Sequence, residues 1–377
     1  MTLPGECGRL TWRSWHAPSE EPTATHMKEK ETRPRFSSLR QFSWSGSSDK
    51  GEDEELIEST VLEWYEQKHR KPSPEETAFV NSIPIRSCPR CRSPLFARHG
   101  KGSNGIQRYM CLGCKRRFTP LTGTIFDSRK IPISEWIEYL LHLFEYHSIK
   151  TSATDNRNAE TTGGYWLSKV FAVLKGIQKN VVLRGRVYAD EKLFDAPNAV
   201  KERAKAKTGS SLSRGCQYYV ATATDGEGAI FLVMGRSKPS DRACMRTYGK
   251  HIAEESTLVH DGEPSHNSFI DALALKSEVH ASAETKGMKD AENPMDPIND
   301  VHDKMEKFMS AHPGYDRSRL QDWMNLFWFI WCVPGDKMDK VKAFLKLAVS
   351  KRIRIKYREV YGKKADGERT IDHPFAN

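Results

Sequence analysis

The chain has no run near the roughly 18 apolar residues that a membrane span needs, so no membrane partner is expected for its 377 residues. Its first residues lack the basic-then-apolar order of a secretion signal, which points to a cytosolic protein. Cysteine is scarce, at eight residues, and in a reducing compartment these are not expected to build a disulfide framework. No internal repeat is evident. A dominant single sign of charge is also missing: 59 Lys and Arg stand against 49 Asp and Glu, leaving +10. That balance favours a polyanionic partner through phosphate contacts, although a basic protein without one has the same composition.

The apolar share is 38%, with 9 Trp and 16 Phe, enough for real cores with room for polar linkers. A chain of this length predicts about two or three folding units. Residues 1 to about 50 are rich in Ser, Glu, Thr and Arg without periodicity and read as a disordered leader, with Met27 a candidate start. From Glu54, helical spacing of Leu56, Val61, Leu62 and Tyr65 predicts a short helix that Pro72 and Pro74 end.

Four cysteines form two pairs of equal spacing, Cys88-Pro-Arg-Cys91 and Cys111-Leu-Gly-Cys114. Each is a knuckle whose thiolates can reach one ion, and 19 intervening residues suit a hairpin. One tetrahedral four-thiolate zinc follows, with two redox pairs as the alternative. Such a site has no open position, so its zinc is structural. Arg86, Arg90, Arg92, Arg98, Lys101, Arg108, Lys115, Arg116 and Arg117 surround it, interleaved with Tyr109 and Phe118, as on a phosphate-contacting surface. Cys7, Cys216, Cys244 and Cys332 read as unpaired bystanders.

Downstream, Pro132-Ile133-Ser134 starts a helix with Trp136, Ile137, Leu140, Leu141 and Phe144 on one face. A second helix is predicted from about Gly164 to Lys179. The pair reads equally as a helix-turn-helix or a helical hairpin. From Arg186 the pattern turns to strands: Val187 to Asp190, a hairpin of Tyr218 to Ala223 and Ala229 to Met234, and Thr257 to His260. Helices are expected over Asp241 to Glu254, Ser268 to Leu275, Asn299 to Ser310 and Leu320 to Trp331, an α/β class with a mixed sheet. Residues Ala281 to Pro297 look like an irregular insertion. Two basic stretches, Lys201 to Arg214 and Lys351 to Arg358, read as solvated surface.

Asp190 and Asp261 each end a predicted strand, so adjacent strands can bring two carboxylates to shared divalent cations for phosphoryl transfer. Each aspartate also reads as a simple turn starter, as in Asp261-Gly262. On a helix from Pro297, Asn299, His302, Asp303 and Glu306 share one face, while Met305, Phe308 and Met309 face a core.

The order of these features resembles the ISXO-like group of zinc-ribbon insertion-sequence transposases. The matching features are the ribbon, Thr-Gly-Thr-Ile-Phe at 122 to 126, Ile-Pro-Ile-Ser-Glu-Trp, Trp166 to Phe171, the two aspartates, and Pro-Ile-Asn before a His. The similarity runs from about residue 80 to 332. It implies a bacterial, cytoplasmic and nucleoid-associated enzyme with an RNase H-like domain built on a mixed five-stranded sheet. It also implies Mg2+, with Mn2+ as a substitute, held by an acidic triad.

Asp190 and Asp261 are the first two members of that triad, and Asn299 fits a third position that is Asn in some branches. His302 follows, and Glu306 stands where a basic residue is usual, so Glu306 is a further candidate ligand. The implied layout is a leader over 1–52, a short helical segment over 53–80, a zinc ribbon over 81–126 and a helical DNA-binding segment over 127–183. A catalytic domain over 184–335 and a basic tail over 336–377 complete it. The implied partner is double-stranded DNA, as element ends and target, bound by a homodimer or higher oligomer. The implied function is metal-dependent cleavage and strand transfer; the alternative is a catalytically weak or domesticated DNA-binding protein of the same descent.

Overall fold

The computed structural model describes residues 72–127, 131–195 and 217–361, together with 56–57 and 59–60. The chain divides into two compact units, Met1–Arg70 and Lys71–Asn377. In the first, residues 56–57 and 59–60 are helical, and Thr60 donates its hydroxyl to the Leu56 carbonyl. The disordered-leader expectation and the basic stretch Lys201 to Arg214 lie outside the described residues.

The second unit begins with helix α1 (Pro74–Ser82). Pro74, expected to close the preceding segment, opens this helix, and most of that segment, 61–71, lies outside the described residues. The missing N–H of Pro74 is no loss in a first turn, and the Ser73 hydroxyl caps the Glu76 amide at 3.1 Å. A three-stranded antiparallel sheet follows, β1 (Phe96–Lys101), β2 (Gln107–Cys111) and β3 (Arg117–Phe118).

Three helices come next, where two were expected: α2 (Ile133–Phe144), α3 (Ile149–Asp155) and α4 (Glu160–Leu174). The Glu76 carboxylate accepts the free amides of Ile133 (2.8 Å) and Ser134 (3.2 Å), capping α2 from α1. Trp136 of α2 stacks on Trp166 of α4 at 4.3 Å. The intervening α3 was not legible because its Lys-Thr-Ser-Ala-Thr run carries almost no apolar period.

The remaining elements form an α/β layer structure: β4 (Arg186–Asp195), β5 (Gln217–Thr224), β6 (Ala229–Gly235), α5 (Asp241–Thr247), β7 (Thr257–His260), α6 (Asn267–Ala272) and β8 (Lys276–Val279). The sheet order is β6-β5-β4-β7-β8, with β4, β5 and β6 antiparallel and β4, β7 and β8 parallel. This is the mixed five-stranded arrangement that the resemblance implied. Strand alternation splits its side chains between two layers. Val187, Ala189, Ala221 and Leu258 pack toward Cys244, Tyr248 and Phe269, whereas Val220 and Phe231 pack toward the helices of the opposite face.

On that opposite face lie α8 (Asp296–Ser310), which follows the four-residue helix α7 (Ser282–Thr285), and α9 (Leu320–Cys332). The outer edge of β6 is closed by side-chain amides: Gln178 and Gln321 accept the Phe231 and Val233 amides at 2.6 and 2.8 Å. Trp328 donates to the Ala229 carbonyl, so the edge offers little backbone to another chain.

Residues beyond 335 were expected to be a basic tail. The described part of this stretch, 336–361, instead forms α10 (Lys337–Ser350), capped by an Asp336/Asp339 box, with Val341, Phe344, Leu345 and Ala348 buried, and then α11 (Tyr357–Tyr361). Arg352, expected as solvated surface, donates to the Thr122 carbonyl at 2.7 Å, and Arg354 pairs with Asp127. No helix among the described residues is long and apolar enough to cross a membrane.

Candidate zinc centre and active site

The two cysteine knuckles have one geometry. The amide after each second cysteine returns to the carbonyl of the first, Arg92 to Cys88 at 2.9 Å and Lys115 to Cys111 at 3.0 Å. Both Arg92 and Lys115 take positive φ, 62° and 56°, which closes the turns. The four sulfurs then converge, with Cys88 and Cys114 Sγ 3.8 Å apart and Cys91 and Cys111 Sγ 3.5 Å apart. Four converging sulfurs fit a closed zinc site.

Tyr109 and Phe118, expected on a phosphate-contacting surface, are instead the ribbon's own core. They stack at 5.5 Å and pack with Phe96, Cys88 and Cys111. A module this small has few other apolar side chains to bury. The nine cations named above are all exposed, and residues 81–126 contain no Asp or Glu to neutralise them.

In the sheet, Asp190 was expected at a strand end, but β4 continues to Asp195 because it pairs with β5 as far as Asp195 opposite Gln217. Asp261 does follow the last residue of β7. The parallel register joins Tyr188 to Val259, and two residues further along each strand stand Asp190 and Asp261. Tyr188 and Val259 pack with Met295 and Ile298, so this face of both strands looks toward α8. Burial lifts the Asp190 carboxyl to about 6, against the Glu191 amide that lowers it, and the neighbouring Asp261 charge adds to the rise.

Among the helix candidates, His302 reaches Asp190. Thr222, directly across from Asp190 on β5, donates its hydroxyl to the Asp190 carbonyl at 2.6 Å. Toward His302 Nε2, also at 2.6 Å, that oxygen therefore accepts, and Nε2 carries the ring proton. Nδ1 is left with a lone pair 3.9 Å from Asp190 Oδ2. Burial and the Lys192 ammonium hold His302 down at about 4, so it is neutral at physiological pH. Two electron-pair donors facing each other fit a hard to borderline divalent cation; Asp261 is near enough for its charge to act on Asp190, and one of its oxygens lies within 4.8 Å of ring nitrogens of His260 and His266. Asn299 and Asp303 lie exposed on α8. Glu306 is turned to Lys192 at 3.0 Å, its side chain 68% exposed.

Sequence reasoning missed the layer behind the site. Alternation sends Glu191 to the face opposite Asp190, where its Oε1 lies 2.8 Å from the Tyr248 hydroxyl and 3.0 Å from His266 Nε2. His266 Nδ1 meets His260 Nδ1 at 3.1 Å, and His260 Nδ1 accepts the Gly262 amide in the turn that carries Asp261. His260 Nε2 meets the Ser277 hydroxyl. The Asp-Glu pair at 190–191 and the His before Asp261 were the available signals. Cys244, expected to be an unpaired bystander, is a free thiol that lies in the same buried cluster.

Residues 81–115 match the family described as the InsA N-terminal domain, a zinc ribbon. An uncharacterised protein in transposable element ISH50 of Halobacterium salinarum is 34% identical over 65 residues, 17% of this chain; the chain spans 21% of that relative's length. Among solved structures, the catalytic domain of Mos1 mariner transposase is similar at 14% identity over 50% of this chain and 91% of that one, with a TM-score of 0.25. The Mos1 strand transfer complex gives 13% identity over 58% and 76%, with a TM-score of 0.27. A simian T-cell lymphotropic virus intasome gives 10% over 51% and 67%, at 0.26. The chain thus carries a ribbon similar to the InsA N-terminal domain, joined to a mixed α/β sheet.

Proposed function

We propose that the chain is a DNA transposase that binds the ends of a mobile element and performs metal-dependent phosphodiester cleavage and strand transfer. The observation that carries this reading is the placement of Asp190 and Asp261 each two residues beyond the Tyr188–Val259 pair of adjacent parallel strands, with the charge of Asp261 acting on Asp190 and His302 of α8 3.9 Å from Asp190. The cationic, carboxylate-free ribbon and the ISH50 relative's place in a transposable element support it.

Asp190 and Asp261 hold the divalent cation, Mg2+ or Mn2+. When bound, such cations activate the attacking oxygen and stabilise the leaving oxygen in an in-line displacement at phosphorus. For the third position, where Asn299 and Glu306 were the candidates, the hydrogen bonds favour His302 instead, whose Nδ1 lone pair faces Asp190. Asn299 stands exposed one turn earlier, and Glu306 neutralises Lys192. The Glu191–His266–His260 network positions the Asp261 turn from behind. The exposed arginines of the ribbon supply phosphate contacts, and α2 to α4 present the duplex to the sheet. The zinc stays out of the chemistry because its four positions are filled by sulfur.

Asp190→Asn and Asp261→Asn are expected to abolish cleavage and strand transfer of element-end DNA while leaving end binding intact. Full activity in either variant refutes the assignment. The replacement of a carboxylate by His302 beside Asp190 favours, as a second reading, a catalytically weak protein that binds the ends without processing them. Tight binding with no cleavage in Mg2+ or Mn2+ would establish that reading.

A further inference from the structure

Away from the carboxylate site, the turn between α2 and α3 gathers a second set of metal-ligand side chains. Helix α2 ends in a Schellman motif: the His147 amide returns to the His142 carbonyl at 3.0 Å, and the Tyr146 amide to Leu143 at 3.3 Å. Tyr146 takes the left-handed conformation, φ 65°, usually given to glycine there; its ring is held by an edge contact with Phe308 at 5.2 Å. This motif normally brings two apolar side chains together, one just past the helix and one in its last turn. Here the two positions hold imidazoles, His147 over His142, with ring centroids 5.0 Å apart.

The imidazoles are not satisfied by the protein. Nδ1 of His142 and Nδ1 of His147 are both shielded from solvent and have no hydrogen-bond partner among the described residues. The third member is Asp155 at the end of α3, whose Oδ2 lies 3.9 Å from His142 Nδ1. One nitrogen of each ring and an Asp155 oxygen all fall within 4.8 Å of one another. Buried polar atoms in folded proteins are nearly always partnered. Two imidazoles, each with an orphaned ring nitrogen, gathered beside one carboxylate are therefore the arrangement of a cation site.

We propose that His142, His147 and Asp155 bind a second transition-metal ion of the zinc class, separate from the four-cysteine zinc and from the carboxylate site on the sheet. Two imidazoles and one carboxylate select Zn2+ over Mg2+, which prefers oxygen ligands alone. Three protein ligands leave a fourth position for water. Glu145, whose carboxylate lies 3.9 Å from His147 Nε2, is engaged by Lys337 and serves as a neighbouring charge only. The bound ion ties the end of α2 to α3 across the turn that carries the left-handed Tyr146. It stiffens the helical segment between ribbon and sheet.

The test is metal counting on the purified full chain, equilibrated with Zn2+ in excess Mg2+ and then freed of loose metal. Two zinc ions per chain are expected for the wild type and one for His147→Asn, with His142→Asn as a second variant. The first equivalent should survive in both, because the cysteines are untouched. Zinc beyond one equivalent should raise the melting temperature of the wild type and not of the variants. A wild type that takes up one zinc, or variants that retain two, overturns the proposal. So does loss of the second zinc in Asp190→Asn with retention in His147→Asn, since that ion then belongs to the carboxylate site.

Discussion

Thr222→Val tests the geometry of the candidate active site more sharply than removal of a ligand. Valine keeps the shape of a side chain that is fully buried, while the hydroxyl that donates to the Asp190 carbonyl and accepts from His302 Nε2 disappears. The His302 N–H is then buried without a partner, a cost of roughly 1–3 kcal/mol. At about 2–4 °C per kcal/mol for a domain of this size, the melting temperature should fall by several degrees. The imidazole also loses the bond that sets its tautomer and ring angle. Loss of such a supporting bond lowers metal affinity by about 10–100-fold. Thermal melts, together with Mn2+ titration followed by the paramagnetic signal of the free ion, read both effects. Thr222→Ser, which retains the hydroxyl, should restore them. A valine variant equal to wild type in melting and in Mn2+ affinity would falsify the claim that Thr222 orients His302.

His312 supplies a pH test away from any proposed ligand. It is 5% exposed, neither ring nitrogen has a partner among the described residues, and burial holds it down at about 4. The unfolded chain takes up this proton near 6.5, so the contribution to stability is complete above that pH and is lost as pH falls toward 4. The loss amounts to up to about 3 kcal/mol. His312→Phe should flatten urea-derived stability over that window by about one proton, and an unchanged slope would sink the argument.

Gly163 lets α4 approach α3: a Cβ there would sit 2.7 Å from Ala153 Cβ and 3.2 Å from the Ile149 carbonyl. Gly163→Ala should therefore destabilise by about 1–3 kcal/mol despite alanine's better helix propensity, and a neutral result in denaturant melts would refute the close packing. Stripping zinc from the cysteines should unfold the ribbon, whose apolar core is little more than Phe96, Tyr109 and Phe118. Element-end binding should then weaken, with a flatter dependence of log K on log salt; an unchanged salt slope would show that the ribbon cations do not contact phosphate.

Features that depend on short spacing or on local period were legible in the sequence. Equal Cys-x-x-Cys pairs dictate equal turns and hence one four-sulfur site. The alternating apolar runs dictate β4 to β7, and the amphipathic periods dictate α2, α8 and α9. Asp190 and Asp261 were recognisable as a pair because each follows an apolar run.

Elements without such a period were not legible. The edge strand β8, Lys-Ser-Glu-Val, is largely exposed and carries no core pattern. Helix α3 is polar, and α10 looked like tail because its lysines mask the buried face formed by Val341, Phe344, Leu345 and Ala348. Only tertiary structure decided which residue of α8 faces Asp190. Asn299, His302 and Glu306 share a helical face in sequence, and the rotation of that helix on the sheet selects His302 through Thr222, 80 residues away. The same holds for His142, His147 and Asp155: a left-handed turn and the packing of a second helix bring them together, and neither is written in residue spacing alone.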